Sequence, residues 1–134
     1  MDEMGAKLLA FLQRFEGKPI AWGVDDCTSS AGLWLAENGI KVRTEPYATR
    51  EEGHAIIKRH GSLVDLWDWA LADTPVRERF GGTPELGDIA VIDTRLMGQV
   101  GVICAAGGIC AWRKAHGGFF WIAPRSFVKV WAIA

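Results

Sequence analysis

A chain of 134 residues supports one compact domain, and 49% hydrophobic with 23% charged residues is the composition of an ordinary soluble globular protein. A net charge of −1 without any long basic run argues against a nucleic-acid surface, and no apolar stretch approaches the length of a membrane span. Three cysteines, Cys27, Cys104 and Cys110, cannot all pair and lack zinc-type spacing, so neither a metal nor another cofactor is expected.

The opening segment carries acidic residues and no basic n-region, so a secretory signal is not expected there. Met4, Leu8, Leu9, Leu12 and Phe15 recur at helical spacing, and Gly17 with Pro19 close that element. A second helix is predicted from about Asp26 to Asn38, with Asn38-Gly39 as its stop. A polar connection follows. Glu51 to His60 predicts a short helix with Ala55, Ile56 and Ile57 inward, ended by Gly61, and His54 and His60 read as surface residues on it. Ser62 caps a fourth helix carrying Leu63, Leu66, Trp67, Ala70 and Leu71.

Past Pro84 the period changes. Residues 87–94, 99–105, 108–113, 118–123 and 126–134 are short β-rich runs punctuated by glycine pairs and one proline. Helices first and strands afterwards predict an α+β domain: helices within about 1–75 packed on an antiparallel meander of about five strands over about 86–134. Seven tryptophans cannot all be fully buried in so short a chain, so some line a groove or an interface.

Cys27 falls where a loop rich in Trp, Gly and Asp runs into the second helix. Unpaired backbone N–H groups and the helix dipole favour a thiolate there, whereas Asp25 and Asp26 disfavour a second negative charge. Asp26 and Asp93 are candidate substrate-binding residues, though Asp26 reads more readily as the helix N-cap accepting backbone N–H bonds. Cys104 and Cys110 lie within apolar strands and read as inert core residues.

A Trp22-Gly23-x-x-Asp26-Cys27 loop opening a helix, a distant Leu86-Gly87-Asp88 strand and a Val100-Gly101-Val102-Ile103 strand together resemble the NlpC-type cysteine peptidases, more closely their short phage-tail and gene-transfer-agent relatives. The resemblance runs from about Phe11 to Ile133 and implies a single papain-like domain over residues 1–134, with Cys27 facing an antiparallel sheet. It also implies a departure. The family places its catalytic histidine just before the Val-Gly strand, where this chain has Gln99, and its third polar residue falls near Ala111. Asp25 stands where phage relatives often carry histidine. Glutamine is no general base at neutral pH.

Strand directions offer a replacement. The turn Lys114 to Gly118 returns to the end of the sheet where Gln99 lies, so Asp93, Gln99 and His116 can gather around Cys27. His116 is then either a base oriented by Gln99 or Asp93, or a solvated turn residue. Trp22 and Gly23 form a groove wall for substrate, with Trp22 alternatively a core plug. Two functions follow from the resemblance. One is a structural component of a phage distal tail or tail tip with a lapsed site, made in the bacterial cytoplasm and carried in the virion among other tail proteins. The other is an active peptidase or amidase on peptidoglycan stem peptides, with Cys27 as nucleophile. Neither involves nucleic acid or a membrane.

Overall fold

The computed structural model describes residues 3–81 and 83–133. The extreme ends of the expected domain, including Ala134 of the last expected strand, lie outside them. Four helices precede the main sheet: α1 (Glu3–Gln13), α2 (Cys27–Glu37), α3 (Arg50–His60) and α4 (Leu63–Leu71). The strands are β1 (Arg77–Glu78), β2 (Ile89–Thr94), β3 (Gly98–Cys104), β4 (Cys110–Arg113), β5 (Phe119–Ile122) and β6 (Lys129–Ala132). The architecture is α+β, as expected.

Local chemistry sets the helix ends. Asp26 accepts from the Thr28 and Ser29 N–H groups and so starts α2, while Asn38 terminates it. Thr49 and Glu52 form a reciprocal capping box at the head of α3, which Gly61 ends, and Ser62 caps α4 through the Asp65 N–H. Of the three α3 residues expected inward, Ile56 is buried, Ile57 is half-buried against the core and Ala55 is exposed, because a helix turns Ala55 about 100° away from the Ile56 face.

The sheet has six strands in the order β1-β6-β2-β3-β4-β5, all antiparallel and open, rather than a meander of about five. Strands β2 to β5 do form a meander. The chain then crosses back, and β6 pairs with the free side of β2, carrying the two-residue β1 on its outer edge. The larger core lies between the sheet and the helices, where Ile89, Val91, Ile103 and Ala111 meet Leu8, Phe11, Trp34 and Trp67. A second apolar cluster joins Ala90, Ile92, Val100, Val102, Cys104 and Cys110, with Phe127 and Cys27 against it.

Two contacts seat α2 on the sheet. The fully buried Trp34 donates its indole N–H to the Gly87 carbonyl at 2.8 Å, fixing the helix to the entry of β2. Gly101 on β3 lets the start of α2 come close, since a Cβ there would lie 3.3 Å from the Cys27 carbonyl oxygen.

Candidate functional site

Cys27 is the first residue of α2 and packs beside β3 at Gly101. Its thiol is pushed above the ordinary value by burial and by the neighbouring Asp26 carboxylate, against the opposing pull of donors from Gly101 and Thr28. The helix terminus that the sequence suggests as an activating feature is therefore outweighed by desolvation and by its own cap.

Asp26 is fully engaged in holding this turn. Its Oδ1 accepts the Thr28 and Ser29 N–H groups at 3.1 Å each. Its Oδ2 accepts the Gly23 N–H and the Tyr47 hydroxyl, both at 2.7 Å, and the Ser29 hydroxyl at 3.2 Å. Of the two readings of Asp26, the geometry gives the cap. Tyr47 comes from the connection between α2 and α3, and burial first, then Asp26, raise its hydroxyl well above the usual tyrosine value. A phenol so held stays protonated and donates.

The loop ahead of Cys27 is clamped from β4. Arg113 is buried and donates from Nε to the Asp25 carbonyl at 3.0 Å, from Nη2 to the Lys18 carbonyl at 2.7 Å, and from Nη1 to the carbonyls of Lys114 and Gly118 at 3.1 Å each. The Asp25 carboxylate accepts the Ala21 N–H at 2.7 Å, and its Oδ2 lies 3.2 Å from Lys18 Nζ and 3.5 Å from Arg113. Burial alone raises the Asp25 carboxyl, but the Ala21 N–H, Lys18 and Arg113 together hold it below its ordinary value. Phe15 and Phe119 flank the guanidinium at 5.1 and 5.7 Å from their ring centres. Sequence reading overlooks Arg113, because an arginine at a strand end next to a glycine-rich turn looks solvated.

The other expected site residues divide. Asp93 and Gln99 are directly opposed across β2 and β3, and Asp93 is exposed. Gln99 turns its amide oxygen inside, where no donor among the described residues meets it. His116 is exposed on the turn between β4 and β5, and that turn is tied to the segment after α1 by the bonds Gly118 N–H to Phe15 O and Ile20 N–H to Ala115 O. Trp22 is half-buried and belongs to neither apolar cluster. Gly23 has φ +81°, and a Cβ on it would lie 1.8 Å from the Tyr47 carbonyl oxygen, so this glycine serves a chain crossing. Ala111 is buried in the core. His60 is no free surface residue: its Nε2 lies 2.5 Å from Glu45 and its ring packs on Trp69.

The Leu86-Gly87-Asp88 stretch is structural in the same way. Gly87 takes φ +96° and accepts from Trp34, while the buried Asp88 accepts from Arg79 Nε at 2.6 Å and from the Glu85 N–H at 2.9 Å. A cavity of about 340 Å³ lies between α2, α4 and the connection carrying Tyr47, lined by Ser29, Leu33, Val42 and Trp67 among others. Cys27 is not among its lining residues. Among the described residues no group of three or more His, Cys, Asp or Glu side chains is placed to hold a metal ion, and no helix is long and apolar enough to cross a membrane.

Against known proteins, the chain belongs to a family described as a domain of unknown function (DUF6950), which it matches over residues 1–133. No curated protein and no solved structure matches it.

Proposed function

We propose that this domain is a structural component of a phage-type tail, built on an NlpC-like scaffold whose cysteine site has lapsed. The observation that carries the reading is the setting of Cys27: half-buried beside the Asp26 carboxylate, which with desolvation pushes its thiol up, and with Gln99 at the strand position where the resembled enzymes keep their base. A nucleophile needs its thiolate, and a glutamine cannot take the proton. The tail setting rests on the sequence resemblance.

The surface supports an assembly role. Phe120 and Trp121 are exposed on β5, the outermost strand of the sheet, whose free backbone edge is open to a partner. Leu96, 95% exposed, and Met97 crown the hairpin between β2 and β3, and Phe80 is 78% exposed beyond β1. Large apolar side chains left in water at three places on one small domain fit a protein with neighbours.

The hydrolase reading keeps one observation in its favour, the location of Cys27 at a helix start facing donors from Gly101 and Thr28. Substitution separates the two. In the virus encoding this chain, Cys27→Ala is expected to leave tail assembly and infection intact, with the chain present in purified particles. Intact tails that no longer infect would reinstate the hydrolase, and absence of the chain from purified particles would end the tail assignment.

A further inference from the structure

Cys104 closes β3 and Cys110 opens β4, and the two are directly opposed partners in the ladder. The Cys104 N–H bonds to the Asp88 carbonyl at 2.7 Å and its carbonyl accepts from Gly87 at 2.8 Å, so both its backbone groups face β2. The next pair along takes the β3–β4 hydrogen bond, Ala105 N–H to the Ile109 carbonyl at 2.7 Å. Cys104 and Cys110 are therefore a non-hydrogen-bonded pair, the narrow kind in antiparallel sheets, with Cα atoms typically about 4.5 Å apart. That spacing falls within the range of about 4.4–6.8 Å which a disulfide spans. Both side chains point to the same face, and the sulfurs are already in contact at 3.9 Å.

We propose that Cys104 and Cys110 are a redox modification site, forming a reversible disulfide that staples β3 to β4 when the protein meets a hydroperoxide. The proposal is independent of the tail reading, because neither sulfur belongs to the Cys27 turn. The S–S bond length is about 2 Å, so the sulfurs approach by roughly 2 Å, a movement within reach of side-chain rotation on a ladder that already sets the Cα separation. Their mutual S–H contact pushes the Cys104 thiol up and the Cys110 thiol down, which makes Cys110 the first to ionise.

With hydrogen peroxide the chemistry balances as two thiols and one peroxide giving one disulfide and two waters. The Cys110 thiolate attacks a peroxide oxygen, the O–O bond breaks, and the departing hydroxide takes a proton to leave as water, with Cys110 as the sulfenic acid. The Cys104 sulfur then gives up its proton and attacks the Cys110 sulfur, the S–O bond breaks, and a second water leaves. Two electrons pass from the sulfurs to the peroxide.

Access comes through the turn above the pair. Both sulfur-bearing residues are buried, but Ala106 and Gly107 are exposed, Gly107 and Gly108 take φ +73° and +77°, and the Gly108 carbonyl lies 3.8 Å from the Cys110 sulfur. Gly108 also lines an open groove of about 590 Å³ shared with Arg79, Arg125 and Lys129. The Gly108 carbonyl against the Cys110 sulfur makes this turn the cover whose local opening would let a peroxide reach it.

The test uses the full chain, treated with hydrogen peroxide under native conditions, quenched, alkylated in denaturant and mapped by mass spectrometry. The expected product has lost two hydrogens, carries a Cys104–Cys110 linkage, retains Cys27 as its one alkylatable thiol, and returns to three thiols with excess dithiothreitol. Cys27→Ser is expected to keep the linkage and Cys110→Ser to lose it. A linkage through Cys27, or oxidation of single thiols with no Cys104–Cys110 linkage in either the natural chain or Cys27→Ser, would overturn the proposal, whatever the folding of Cys110→Ser.

Discussion

Arg113 and Asp25 meet in the interior from positions 88 residues apart, the guanidinium donating to the Asp25 backbone carbonyl while standing 3.5 Å from its carboxylate. Both side chains are fully shielded from solvent. With three further carbonyls also on Arg113, one side chain joins the loop ahead of Cys27 to the β4–β5 turn. Removing it takes one of two cations from the buried Asp25 carboxylate and leaves several buried carbonyls without their donor at once. Replacing Arg113 by Met is expected to cost about 3–5 kcal/mol, read as a fall in the urea midpoint at unchanged slope. Lysine is not expected to rescue, because a single ammonium cannot reach four carbonyls in the directions a planar fork does. A loss under about 1 kcal/mol would mean that the clamp is incidental.

Asp25 gives this clamp a pH dependence. Its carboxyl titrates below the ordinary value in the folded protein, so the unfolded chain takes up the proton first as pH falls. The stabilisation is therefore complete above the ordinary aspartate value of about 3.9 and drains away as pH drops from there towards the folded value. Denaturation measured between pH 5 and pH 2 should show a steep acid branch. Asp25→Asn is expected to be less stable at neutral pH and to flatten that branch, and an unchanged acid slope in the variant would assign the acid lability to other carboxylates.

The parts of this fold that the chain advertises are those set by neighbours in sequence. Asp26 and Asn38, Ser62 and Gly61 mark helix ends through bonds spanning two to four residues, and they stand where a capping rule puts them. What escapes is non-local. The two-residue β1 is too short to carry a periodic signal, and nothing in the 129–132 run says that it pairs with β2 rather than following β5. The Cys27 turn illustrates the same limit. Its position at a helix start is legible, but its electrostatics depend on Asp26 being shared with Tyr47 from 21 residues away, and on an arginine buried against expectation. Opposition of Cys104 and Cys110 follows from register alone, which an apolar strand pattern leaves open.

Two glycines with nearly equal φ angles provide a matched comparison. Gly23 has φ +81° with the Tyr47 carbonyl 1.8 Å from where a Cβ would stand, and Gly39 has φ +77° with open space around it. Both alanine variants bear the left-handed backbone penalty, roughly 1–2 kcal/mol. Only Gly23→Ala adds a clash with main chain that no side-chain rotation relieves. Thermal melting should place Gly39→Ala a few degrees below the parent and Gly23→Ala far lower or unfolded. Equal losses would show that the 20–26 loop and the Tyr47 segment separate freely.

Cys27 itself offers the sharpest electrostatic test. Burial and Asp26 both raise its thiol, so alkylation of the folded protein is expected to stay slow through neutral pH and to accelerate only above the free-cysteine value of about 8.5. Asparagine is as good an N-cap as aspartate, and its side-chain oxygen still accepts from Thr28 and Ser29. Asp26→Asn keeps the Thr28 and Ser29 bonds and deletes the charge, but it turns an NH2 towards the Gly23 N–H and the Tyr47 hydroxyl, so its fold is checked by circular dichroism before labelling. It should move the alkylation profile to lower pH. His116→Ala should leave the profile where it is, since His116 is exposed on the β4–β5 turn while burial and Asp26 lead the upward push on the sulfur. The rate is followed for Cys27 alone by mapping the labelled peptide, which removes any contribution from Cys104 and Cys110. A natural profile centred below the free-cysteine value, shifted upward by His116→Ala, would instead describe an ion pair between thiolate and imidazolium. That result would make the turn between β4 and β5 the source of a working base and would return the domain to the hydrolases.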